Sequence, residues 1–229
     1  MKIRTIIAGN IAILLLATLS VRAADQMTVY AARPGSKMRI EGTANVIHTT
    51  WQIESPFIAG MIKVGPNFPT EPGQVVAPGA KLDAQANAVI MARSLKSVNE
   101  DGSHYSDGMD EIMCEHLNAA KFNQITYKLT ELTLKEAPKT KDAPYVCDAK
   151  GDLTIAGVTN PIAMVVNILP LPDNKLEITG STALKMTDYK VPIVDKSIIG
   201  LAHIKTGDEV KLIFKWMLAQ RKAPAAAAK

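Results

Sequence analysis

The sequence predicts an all-β fold, an antiparallel closed barrel or sandwich of about eight strands with one short helix. Three observations predict it. Apolar residues recur with period two along most of the chain, turn residues separate the alternating runs, and only one segment carries a helical stripe.

Taken in order, Lys2 and Arg4 precede an apolar run from Ile6 to Leu19 that ends in Ser20, Val21, Arg22, Ala23 and Ala24. That pattern is a secretory signal peptide, with cleavage expected after Ala23 and a periplasmic or secreted destination. The run is too short for a comfortable membrane span. Strands are then expected around Met38 and Ile40, around Trp51 and Ile53, and from Ile58 through Ile62 to Val64, with Gly42 and Gly60 as bulges or bends. Residues 65 to 80 hold Pro66, Pro69, Pro72 and Pro78 and read as a loop longer than a scaffold needs. A strand resumes over 82–95.

Met109, Ile112, Met113 and Leu117 share one stripe, which predicts a helix over 109–120 with Asp107 or Asp110 near its start. Four strong alternations follow. Ile125, Tyr127 and Leu129 alternate with Thr126, Lys128 and Thr130; Ile162, Met164, Val166 and Ile168 form a second set. Leu176, Ile178, Thr182, Leu184 and Met186 form a third, and Val210, Leu212, Phe214, Trp216 and Leu218 a fourth. Pro138 to Pro144 and Pro170 to Asn174 supply hairpin turns, so the strands are expected to follow one another as a meander. The tail 220–229 is Ala, Pro and Lys with nothing to bury, and is expected to be disordered. One domain over 24–219 accounts for the rest.

The formal net charge is +4, and loss of Lys2, Arg4 and Arg22 with the signal peptide leaves +1. With no basic stripe interleaved with aromatics, neither nucleic acid nor an anionic membrane surface is an expected partner. Aromatics are 5% of residues, too few for the two girdles of a membrane barrel. A hairpin of 123–135 with 144–156 would set Cys147 opposite Leu132, far from Cys114, so two free thiols are expected over a disulfide. His48, His104, His116 and His203 are scattered; a cluster of Cys114, His116 and His104 lacks metal-ligand spacing, and no metal or cofactor is expected. No phosphate loop or nucleophile elbow is present, so catalysis is unsupported.

The run Gly151-Asp152-Leu153-Thr154-Ile155-Ala156-Gly157-Val158-Thr159-Asn160-Pro161 resembles the most recognisable strand and turn of the YceI-like polyisoprenoid-binding family. Met109-Asp110 with Leu117, Phe122, Ile125, Thr126 and Tyr127 is similar to that family's helix and following strand, and Gly180 with Leu184 to Tyr189 to a later strand. Asn123 stands where the family commonly has proline, and before residue 90 the match rests on Ser36, Ile40, Gly42, Trp51 and Gly60. The resemblance implies a lipocalin-like barrel whose tunnel takes a long-chain isoprenoid or quinone-like lipid, and it implies a homodimer.

Strand parity nominates the apolar lumen: Trp51, Ile53, Ile125, Tyr127, Leu129, Ile155, Met164, Val166, Leu184, Phe214 and Trp216. Met109, Met113, Met164 and Met186 would give an adaptable wall. The competing reading is that all of these simply fill a core. A surface or stress-related interaction protein using the barrel as a scaffold is the second functional reading, motivated by the proline loop, and an isomerase-type enzyme is the third.

Overall fold

The computed structural model describes residues 27–45, 50–197 and 203–221. The signal peptide expected at 1–23 and residues 222–229 of the expected tail lie outside them. Gln220 does not belong to the tail: it closes the last strand opposite Tyr30.

The strands are β1 (Thr28–Ala32), β2 (Lys37–Ala44), β3 (Thr50–Ser55), β4 (Ala59–Val64), β5 (Ala84–Met91), β6 (Lys96–Val98), β7 (Gln124–Glu136), β8 (Tyr145–Ile155), β9 (Val158–Leu171), β10 (Lys175–Lys185), β11 (Asp195–Ser197) and β12 (His203–Gln220). One helix, α1 (Asp107–His116), lies between β6 and β7. The first six strands are three long strands, each broken once. β1 and β2 flank a turn at 33–36, β3 and β4 a bend at 56–58, and β5 and β6 a single 3-10 turn at Ala92–Ser94. β1 pairs with β4 and β2 with β3; β4 pairs with β5 and β3 with β6. Counted this way the wall has eight antiparallel strands in meander order, closed where β12 meets both β1 and β2. Closure removes the exposed edges that an open sheet would present.

The hairpins follow the turn chemistry. Ala156 and Gly157 both take positive φ (48° and 79°), the two-residue turn that matches strand twist between β8 and β9. Between β9 and β10 the loop is three residues, Pro172 to Asn174, with Asp173 and Asn174 at positive φ. In the β7–β8 hairpin two register shifts, between Leu129 and Glu131 and between Leu134 and Glu136, set Cys147 opposite Leu134 and not Leu132. Register with β5 runs through Gly60, so it is not a bulge, whereas Gly42 keeps register with β3 but sits at the register shift of β12, where Val210 pairs with Gly42 and Thr206 with Ala44. Gly42 leaves room for the Trp51 ring, and Gly60, at φ +120°, lets β4 lie close to the Asn87 carbonyl of β5. Both cysteines are free, Cys147 buried and Cys114 half-buried.

One end of the barrel is sealed. The loop 65–82 folds over it, with Phe68 and Pro69 driven into the core beside Tyr30, Leu134, Tyr145 and Leu218. Tyr145 donates its hydroxyl to the Gln74 carbonyl (2.7 Å), and Asn67 clasps the Lys81 carbonyl and the Asp83 N–H, so the loop is held at both its middle and its base. Full burial of a side chain such as Phe68 contributes about 2 kcal/mol. The proline loop is therefore a plug.

α1 stands at the other end. Ser106 caps it, accepting from the Met109 N–H, and it stops before Asn118, which adopts left-handed φ (49°), so the helix is shorter than the 109–120 expected. Met113 and Leu117 pack against the core while Met109 stays exposed.

Candidate binding cavity

Between plug and helix the barrel is hollow. The cavity measures about 110 Å³. Its floor is Ile62, Leu132, Ile168, Ile178 and Trp216; its wall rises through Ala86, Ala88, Ala149, Val166 and Phe214 to Ile90, Leu153, Ile162, Thr182 and Leu212. Side chains with a polar atom are few among these: Trp216 donates its indole N–H to the Ile58 carbonyl (3.2 Å), and only Tyr127 and Thr182 carry hydroxyls. The Tyr127 hydroxyl is sealed from solvent and has no hydrogen-bond partner among the described residues. Burial, with Asp152 nearby, pushes its pKa up to about 12, so it stays a neutral donor.

The hollow depends on glycines facing aromatic rings. A Cβ on Gly180 would come within 2.7 Å of the Phe214 ring directly across the β10–β12 pair, and one on Gly151 within 2.5 Å of the Tyr127 ring. Each ring therefore lies back over a bare stretch of backbone and leaves the lumen open. Gly42 and Trp51 form a third such pair, with the indole N–H donating to the Thr43 carbonyl (3.0 Å).

Of the residues nominated from parity, Ile125, Tyr127, Leu129, Met164, Val166, Phe214 and Trp216 line the cavity. Trp51, Ile53, Ile155 and Leu184 do not. Ile155 and Leu184 share the inward parity but lie one step beyond Leu153 and Thr182, toward the helix end. Ile53 and Trp51 lie one and two steps past Ser55, the partner of the lining residue Met38. The cavity stops a layer short of all four. Of the methionines singled out, Met164 lines it and Met113 and Met186 pack at the helix-end margin; Met38 lines it without having been nominated.

Two groups among the residues that parity passed over are instructive. Leu212, Ile162, Ile168, Ile178 and Thr182 lie on alternations already recognised, and extending the same parity finds them. Ala86, Ala88 and Ala149 carry no such signal, because a small side chain marks a space rather than filling one.

His48 lies outside the described residues, and His104 and His116 do not form a cluster with Cys114. His116 bonds the Pro192 carbonyl through Nδ1 (2.9 Å), whereas His104 meets Asp107 and Asp110. Asp110 Oδ1 accepts from the Ser97 N–H (2.6 Å) and hydroxyl (2.8 Å), and Oδ2 from Lys96 Nζ and His104 Nε2 (both 2.9 Å). Burial alone would raise this carboxyl, but the Ser97, Lys96 and His104 donors outweigh it and hold the pKa at about 2. An ammonium on the same oxygen makes the cluster a helix anchor.

A meander barrel with an apolar chamber between a plug and a helix is the architecture of a protein that holds a ligand inside its own wall. The chain belongs to the YceI-like domain family, whose model matches residues 31–218. A UPF0312 protein of Vibrio parahaemolyticus is 27% identical over 121 residues, 50% of this chain and 57% of that protein. One from Vibrio vulnificus is 28% identical over 120 residues with the same shares. The match thus spans little more than half the length of these curated relatives. Among solved structures, a polyisoprenoid-binding domain from Saccharophagus degradans implicated in plant cell wall breakdown superposes with a TM-score of 0.59 at 13% identity, covering 85% of this chain and 99% of that one. BcnA of Burkholderia cenocepacia superposes at 0.51 and 14% identity, over 79% and 95%. At these identities the likeness is one of fold.

Proposed function

We propose that this protein is an exported carrier that holds the apolar tail of an amphiphilic isoprenoid lipid, polyprenyl or quinone-like, inside the barrel. The observation that carries this reading is the chamber itself, hollow, walled almost wholly by carbon and kept open by ring-over-glycine pairs. Burial of each methylene is worth about 0.8 kcal/mol, so such a wall binds a branched hydrocarbon chain without any polar constellation. Family membership and the polyisoprenoid-binding neighbour support the same ligand class, and the N-terminal pattern of the sequence supports export.

The resting chamber is smaller than a long tail. An apolar cavity of about 150 Å³ accepts benzene, so 110 Å³ holds a fragment the size of one isoprene unit. A longer chain must turn aside half-buried lining side chains, and Met164 and Phe214 are placed to move. The test is native mass spectrometry with solvent extraction on protein purified from an exporting bacterium. A stoichiometric isoprenoid is expected; repeated recovery of empty protein that also refuses added isoprenoid would leave the barrel as a scaffold for surface interactions.

A further inference from the structure

The wall of the barrel is not zipped along its whole length. β9 and β10 pair from Leu171 with Lys175 up to Val165 with Ser181, and there the pairing ends. Continuing the register would match Met164 with Thr182, Ala163 with Ala183, Ile162 with Leu184 and Pro161 with Lys185, and none of these pairs forms. Over the same stretch β9 remains fully paired with β8, and β10 with β12. The result is a slit about 13 Å long, from about 3.3 Å per residue. Asn160 closes its far end by donating to the Asp188 carbonyl (2.9 Å). Pro161 sits on one lip, where a residue without an N–H costs no ladder bond.

Two independent features mark this slit. First, the chamber reaches it: Ile162 and Met164 on one lip and Thr182 on the other all line the cavity. Second, the outer surface changes character beside it. β8 turns Asp148 and Lys150 outward, whereas the β9 lip turns out Pro161, Ala163 and Val165, the last 42% exposed, and the β10 lip turns out Ala183 between Ser181 and Lys185. Apolar outer positions flanking an opening into an apolar chamber suit a hydrocarbon chain passing sideways through the wall. The alternatives along the barrel axis are obstructed by the Phe68 plug at one end and by α1 with the Ile155 and Leu184 layer at the other.

We infer that the slit between β9 and β10 is the portal by which a single-chain amphiphile inserts its tail, leaving its polar head outside at the lips. This rests on the lipid-carrier reading proposed above. The portal is held apart by Pro161 and by the Phe214 ring lying over Gly180 at its apex, where a Gly180 Cβ would also meet the Val165 carbonyl at 3.1 Å.

The test closes the slit covalently. Ala163→Cys and Ala183→Cys are introduced with Cys114→Ser, leaving buried Cys147 in place, and the pair is bridged with a short bismaleimide. The same variant capped with a small monofunctional thiol reagent is the comparison, and Lys128→Cys with Asp152→Cys, bridged across the zipped β7–β8 seam, is the control. The probe is a labelled C20 isoprenol supplied in vesicles. Bridging the slit is expected to slow uptake at least tenfold, and to slow release from protein loaded beforehand by a similar factor, while the β7–β8 bridge changes neither. Equal rates for the bridged and capped slit variants would overturn the portal and leave the carrier intact. Failure of the capped and parent proteins alike to take up the probe would overturn the carrier reading, and the portal with it.

Discussion

At Gly180 a single hydrogen in place of a methyl decides whether the chamber is open. Valine there would meet the tip of the Phe214 ring, which can swing, and the Val165 carbonyl, which can give by only a few tenths of an ångström. Gly180→Val is therefore expected to fold, to push Phe214 into the lumen and to weaken isoprenol binding about tenfold, about 1.4 kcal/mol, in a direct binding titration. Gly151 is different because its Cβ would meet backbone, the Lys128 carbonyl at 2.5 Å, so Gly151→Ala should cost about 1–3 kcal/mol of stability by forcing β7 from β8. The Tyr127 hydroxyl has the opposite sign. It is a buried donor with nothing to donate to, and Tyr127→Phe removes that desolvation cost at almost no change in shape. The empty protein is expected to gain about 1 kcal/mol in urea denaturation; a loss would show that the hydroxyl has a partner in the empty state.

At the scale of elements, α1 is fixed to β6 mainly through one carboxylate. Asp110 has a folded pKa of about 2, below its ordinary 3.8, so the folded state binds the proton less readily than the unfolded chain. Its contribution is fully present above pH 3.8 and is lost as pH falls from there through about 2. The shift corresponds to about 2 kcal/mol. Asp110→Asn should accordingly be less stable than the parent by about that amount at pH 7, and the gap should narrow between pH 4 and pH 2; a gap independent of pH would assign the anchor to packing instead. The length of each unbroken strand decides how much of the site is legible in the sequence. β8, β9 and β10 keep one parity over 11 to 14 residues and β12 keeps one from Val210 to Leu218, so counting alone puts Met164, Phe214 and Trp216 on the inner face, where they lie. The first three long strands break at 33–36, 56–58 and 92–94, and each break restarts the count. Trp51 and Ile53 were legible as inward residues but not their height above the chamber, and Ile58, Ile62 and Ile90 lie across a break from the residues that would have set their parity. The slit was visible only as Pro161 inside an otherwise strand-like run. Closure of its lips depends on pairing with β10, which no local pattern reports.

At the scale of the whole molecule, the barrel divides its length between stability and function. The plugged end holds Tyr145, Phe68, Leu134, Leu176 and Leu218, all fully buried. The helix end gives up pairing between β9 and β10 and keeps Ile162, Met164, Thr182 and Leu184 only half-buried. A chamber between the two ends can enlarge toward the slit but not toward the plug, so ligands of increasing length should keep adding contacts only on the slit side. Each isoprene unit adds several methylene-sized groups at about 0.8 kcal/mol apiece before the cost of moving side chains. For an isoprenol series of C5, C10 and C20 the melting temperature is expected to rise with chain length, because a ligand that binds only the folded state stabilises it in proportion to the logarithm of its occupancy. Met164→Glu, which sets a charge on the lip, should flatten that rise, while Lys211→Glu on the exposed outer face of β12 should leave it unchanged. A rise that survives Met164→Glu would place the tail elsewhere than against the β9 lip.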